Sequence, residues 1–140
     1  MKYRFQKSRT LVLLLVAPAV AMLPACDDDP TLPELPARYE VEVSGETFVV
    51  RVTDADQAQQ LEARLTSGEE GVLSGELAAG DGGYNAPWSW HMIPSTVHAP
   101  DVAIELCDGR PSMVEEDLDY WLETVERFCP WGAKVVERLD

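Results

Sequence analysis

The sequence predicts an α+β domain, a small antiparallel or mixed sheet with two helices packed on one face. Near its start stand two short apolar–polar alternations, Tyr39–Val43 and Phe48–Val52, separated by a glycine turn. Further on, two stretches carry apolar residues at helical spacing, and strand signals follow one another without the strand–helix alternation of a parallel sheet. A length of 140 residues suits one domain, since a single core takes roughly 100–150.

In the first alternation Tyr39, Val41 and Val43 flank Glu40 and Glu42, and in the second Phe48, Val50 and Val52 flank Val49 and Arg51. That is the period of two of half-buried strands, and Ser44-Gly45-Glu46 between them predicts a hairpin. Asp54 with Gln57 three residues on forms a capping-box signal. Ala58, Leu61 and Leu65 then share a face before Ser67-Gly68, so a helix is expected over about 55–66. Val72, Leu73 and the small residues to Ala79 read as a weaker strand, and Trp88–Met92 as a stronger one with Trp88, Trp90 and Met92 on one side. Val102, Ile104 and Leu106 read as the next strand. Ser112 and Glu115 make a second capping-box signal, and Val114, Leu118, Trp121, Leu122, Val125 and Phe128 continue at helical spacing. Val135, Val136 and Leu139 supply a last short strand.

Upstream of the hairpin the chain changes character. Lys2, Arg4, Lys7 and Arg9 precede Leu11–Leu23, 13 residues without a charge. A membrane span takes about 20 residues, whereas an export signal needs only a basic start and a short apolar run. Leu23-Pro24-Ala25-Cys26 then places Leu three residues before the cut, a small residue just before it and Cys after it. This tetrapeptide resembles a lipobox, which implies a signal peptide over 1–25, diacylglycerol on the Cys26 sulfur and anchoring to a membrane of the bacterial cell envelope. Residues 26–37, CDDDPTLPELPA, hold three consecutive acids and three evenly spaced prolines, an extended tether rather than part of a core. A single α+β domain is expected over 38–140.

Charge excludes one class of partner. The whole chain carries 25 acidic against 11 basic residues, a formal charge of −14. Without the basic leader, seven basic residues face the same 25 acids, a net −18. A nucleic-acid binder needs a basic stripe against the phosphates, and none is present.

With Cys26 committed to lipid, Cys107 and Cys129 remain, and an even number in an exported chain suggests a disulfide. Geometry opposes it. A straight helix over 112–128 would separate its ends by about 25 Å, while bridged Cα atoms must lie within about 7 Å. Either the helix breaks near Asp119-Tyr120 and the chain doubles back, or two buried thiols stay reduced.

Candidate chemistry is sparse, and no cofactor is implied. His91 and His98 are the only histidines, and neither has a second ligand at the short spacing of structural zinc sites. One constellation for an envelope hydrolase or metal-dependent protein would set either imidazole against Glu105 or Asp108. A calcium-dependent adhesion module would gather Glu115, Glu116, Asp117 and Asp119 with Asp101, Glu105 or Asp108. The EF-hand pattern is absent, however, and acids in a first helical turn also complement its dipole. Four tryptophans in so small a domain serve a core or, with two rings exposed side by side, a binding platform. The surface singled out for binding is the Asn85–His98 segment, with Asn85, Trp88, Trp90 and His91, together with Asp108 and Trp131.

Tyr84-Asn85, Trp88, Trp90, Pro94, Glu105-Leu106-Cys107-Asp108, Pro111, Val114-Glu115 and Cys129-Pro130-Trp131 together resemble a family of small exported bacterial proteins. These are similar to the N-terminal domain of a slime-mould calmodulin-binding protein. The pattern covers roughly Phe48 to Val136, and Tyr39–Val43 reads as an addition to it. The resemblance implies that Cys107 and Cys129 pair, with a helix and a returning loop between them. It carries no calmodulin binding onto this chain, because calmodulin targets are basic amphipathic helices and the helix here is acidic. The expectation that emerges is a lipid-anchored, non-catalytic binding or assembly module with an envelope partner.

Overall fold

The structure, a computed structural model, describes residues 33–139. The expected signal peptide, Cys26 and most of the tether therefore lie outside the described residues. The hairpin pairs β1 (Ala37–Val43) with β2 (Glu46–Val52) in antiparallel register from Ala37–Val52 to Val43–Glu46. Its two-residue turn needs positive φ at both positions, and Ser44 (53°) and Gly45 (80°) supply it. The alternation in β1 buries Ala37, Tyr39, Val41 and Val43 on one face.

Helix α1 (Ala55–Ser67) starts as the sequence predicts. The Asp54 carboxylate accepts from the N–H groups of Asp56 and Gln57, and the Gln57 side chain accepts from the Asp54 N–H. Gly68, with φ of 67°, ends it. Ala58 and Leu61 are its buried residues. Glu62 on the same helix accepts from the Tyr39 hydroxyl at 2.9 Å.

Strands β3 (Gly75–Ala79), β4 (Trp90–Met92), β5 (Arg127–Phe128) and β6 (Lys134–Leu139) complete two three-stranded antiparallel sheets rather than one. In the first the order is β2-β1-β6, and in the second β4-β3-β5. One core joins them. Phe48 of β2, Trp90 of β4 and Phe128 of β5 form a triangle with ring centroids 5.4–5.7 Å apart, and Trp121 meets Phe128 edge-on at 5.8 Å.

Two expected elements take a different form. The segment carrying Val102, Ile104 and Leu106 is not a strand. No edge strand takes the segment as a neighbour, and residues 101–103 make no backbone hydrogen bond to any strand among the described residues. Only a short 3-10 turn, Glu105–Cys107, is regular there.

The second helix is short and broken. Its first part, α2 (Pro111–Glu116), begins at Pro111 without the Ser112–Glu115 capping box. Both of those residues are taken by partners distant in sequence: Ser112 donates twice to Glu46, and Glu115 accepts from the Ser89 N–H. At Asp117 the backbone leaves helical values (φ −136°, ψ 56°). The chain resumes as α3 (Leu118–Tyr120), runs into a π-helical turn at Trp121–Val125 and reverses at Glu126, whose φ is 62°. The break thus falls at Asp117, slightly ahead of Asp119-Tyr120. The reversal resolves the geometric conflict, and Cys107 and Cys129 form a disulfide with Cα atoms 5.1 Å apart.

Candidate functional site

The residues singled out for binding divide between core and surface. Asn85 and Trp90 are fully buried, so neither belongs to a platform. Asn85 accepts from the Val49 N–H and donates to the Trp90 carbonyl, both at 2.7 Å, which satisfies two backbone groups that a core cannot leave bare. Trp90 sits in the aromatic triangle. Trp88 is half-buried, packs against Trp90 at 6.2 Å and donates its Nε1–H to the Thr47 carbonyl. The two rings are therefore not exposed side by side, because the core between the sheets takes one of them.

The imidazoles do not meet carboxylates. Nδ1 of His91 donates to the Gly80 carbonyl at 2.7 Å while its ring packs edge-on against Tyr84. Nδ1 of His98 donates to the Thr96 carbonyl at 2.8 Å. Asp108 instead receives the N–H groups of Gly109 and Trp131 at 2.8 and 2.9 Å. The expected pairing of His91 or His98 with Glu105 or Asp108 is replaced by these local backbone contacts. Among the described residues no three His, Cys, Asp or Glu side chains gather as a metal site requires. Glu115, one of the acids considered for calcium, is turned toward Ser89.

Of the predicted surface, Asp108 and Trp131 do come together, and they adjoin side chains that the strand expectation hid. Val102 is 80%, Ile104 67%, Leu106 55% and Trp131 41% exposed. Pro100, just ahead of this alternation, marks a boundary there and is a weak local sign at most. The ridge has a fixed base. Cys107 and Cys129 are buried with Val72, Ala103 packs against them, and the Cys129 N–H donates to the Cys107 carbonyl at 2.7 Å.

A groove of about 320 Å³ runs beside the ridge, lined by Gly71, Val72, Asp101, Val102, Ala103 and Trp131. At Gly71 the guanidinium of Arg64 lies 3.1 Å from where a Cβ would stand. Burial lowers the Arg64 pKa from its ordinary value against the opposing influence of Asp101 and Glu69. The arrangement can hold an apolar side chain between Val72, Val102 and the indole, with carboxylates at the rim.

No curated protein and no solved structure matches this chain at a significant level. The family model of the BP-74 N-terminal domain matches residues 36–140. That span includes Tyr39–Val43, which is therefore part of the shared domain and not an addition to it. The match encloses both sheets, the disulfide and the exposed ridge, and by it the chain belongs to the BP-74 N-terminal domain family.

Proposed function

We propose that this protein is exported, held to a membrane of the bacterial cell envelope by lipid on Cys26, and acts there as a binding or assembly module without chemistry of its own. The bridge between Cys107 and Cys129 carries this reading. A disulfide suits an oxidising compartment, and it leaves Cys26, at the end of the apolar leader, as the remaining cysteine. The acidic, proline-rich stretch after Cys26 then spaces the domain from the lipid. A binding role draws its support from the ridge that the same bridge pins in solvent. It also agrees with imidazoles and an Asp108 carboxylate engaged with backbone groups.

The test is intact mass and thiol titration on the protein purified from membranes after native export. The expected result is a chain beginning at an acylated Cys26 with no titratable thiol. An unlipidated chain with reactive Cys107 and Cys129 would overturn the reading and return those two residues to redox or metal chemistry.

A further inference from the structure

We propose that the ridge of Val102, Ile104, Leu106 and Trp131 docks a cationic, apolar partner, a protein segment in which Lys or Arg side chains flank aliphatic or aromatic ones. The proposal rests on the reading of this domain as a binding module and names the chemistry of what it binds.

Three features of the ridge lead to it. Its four large apolar side chains are exposed, Val102 and Trp131 line one groove, and Ile104 and Leu106 follow Val102 in the same segment. The disulfide, the Cys129 N–H on the Cys107 carbonyl and the Trp131 N–H on Asp108 hold the chain at the Cys107 and Trp131 ends of the ridge. At those ends binding need not order the chain. Beside Trp131, the groove between Val72 and Val102 is sized for one large side chain of a partner.

Charge then selects among the surfaces that could cover such a ridge. Asp101 and Glu105 are exposed on it, Asp108 accepts the Trp131 backbone N–H, and Glu69 and Glu70 precede Gly71 in sequence. Arg64 answers Asp101 and Glu69, and Arg110 is drawn to Glu46 at 3.5 Å. On and beside the ridge Asp101, Glu105, Asp108, Glu69 and Glu70 thus outnumber Arg64 and Arg110, an excess of carboxylates. In a twofold dimer through this face, the Asp101 and Glu105 of each copy would confront those of the other. An anionic bilayer would be repelled in the same way. A cationic partner reverses the sign, with its basic groups meeting the rim carboxylates while its apolar groups enter the groove. The Trp131 ring adds a face on which a guanidinium or ammonium can stack.

The experiment titrates the full chain carrying Cys26→Ser, so that no lipid is attached, with a fluorescein-labelled amphipathic peptide of Leu and Lys. A Leu and Glu peptide of the same length is the control. Binding of the Leu–Lys peptide should weaken with added salt, and at least tenfold in Val102→Ser/Ile104→Ser and in Trp131→Ala. It should persist in Glu116→Gln/Glu137→Gln, which changes exposed acids away from the ridge. Because Val102 and Ile104 are largely exposed, the first variant should melt like the parent, which separates lost binding from lost folding. No binding of the peptide, or equal affinity in the ridge variants, overturns the proposal. So does ridge-dependent dimerisation in sedimentation, or ridge-dependent binding to phosphatidylcholine vesicles containing phosphatidylglycerol. Finding no lipid on the native protein would remove the anchor while leaving the peptide result intact, so the two failures are distinct.

Discussion

The side-chain carbonyl of Asn85 accepts the backbone N–H of Val49 at 2.7 Å, and with the amide's other end on the Trp90 carbonyl it ties one sheet to the other. An N–H can meet only the oxygen and a carbonyl only the nitrogen, so both ends of the amide are required. Asn85→Ala leaves a buried donor and a buried acceptor without partners, each costing about 1–3 kcal/mol. Urea unfolding should show a loss of about 3 kcal/mol, and Asn85→Asp should do no better, since it keeps the acceptor but loses the donor.

Removing the bridge with Cys107→Ser/Cys129→Ser frees a loop closed over 22 residues. Chain entropy puts the loss near 3 kcal/mol. The parent protein with reductant should unfold at the same lowered denaturant midpoint as the variant, and amides of residues 101–106 should exchange faster in both.

Glu46 tests the docking of α2 on the hairpin. Desolvation pushes its carboxyl up, but the two hydrogen bonds from Ser112 and the charge of Arg110 together outweigh it and hold the pKa below the usual value. A carboxyl whose folded pKa is depressed stabilises in full above its unfolded pKa, about 4.3, and loses that contribution as pH falls through the folded value. With solvent screening reducing both contacts, Glu46→Ala should cost about 1 kcal/mol at neutral pH. The difference from the parent should shrink between pH 5 and pH 3 in paired denaturation curves.

At the alkaline end the sign reverses. Burial pushes the Tyr84 hydroxyl up to about 12, and its proton is donated to the Met92 carbonyl at 2.6 Å. Burial and the neighbouring Glu62 raise Tyr39 as well. A raised folded pKa means stability present below the unfolded value near 10 and lost as pH climbs toward the folded one. Stability should fall from about pH 10 upward, and Tyr84→Phe should start lower by about 1 kcal/mol but fall less steeply.

The parts legible in the sequence are those whose causes are local. The hairpin follows from alternation plus Ser44-Gly45, and α1 from Asp54, Gln57 and Gly68, because neighbours in sequence supply the hydrogen bonds. Cysteine counting reached the bridge, though its geometry waited on the break at Asp117 and the reversal at Glu126. The misread parts are those decided at long range. Ser112 and Glu115 carry a capping pattern, but Glu46 and Ser89 claim them from 66 and 26 residues away. Val102, Ile104 and Leu106 alternate like a strand, yet alternation cannot say whether the fold brings the segment alongside a sheet edge. Trp88 and Trp90 look alike in sequence, and only the packing of Phe48 and Phe128 distinguishes a core ring from a half-buried one.

The order of strands in the first sheet has a consequence for how the chain comes to be folded. Central strand β1 is flanked by β2, which follows it at once, and by β6, whose Leu139 pairs with Arg38 from about a hundred residues further on. Such distant pairing is slow to form. Until β6 has emerged, one side of β1 stays without its ladder, so the hairpin made first must wait for the strand made last among those described before its sheet is complete.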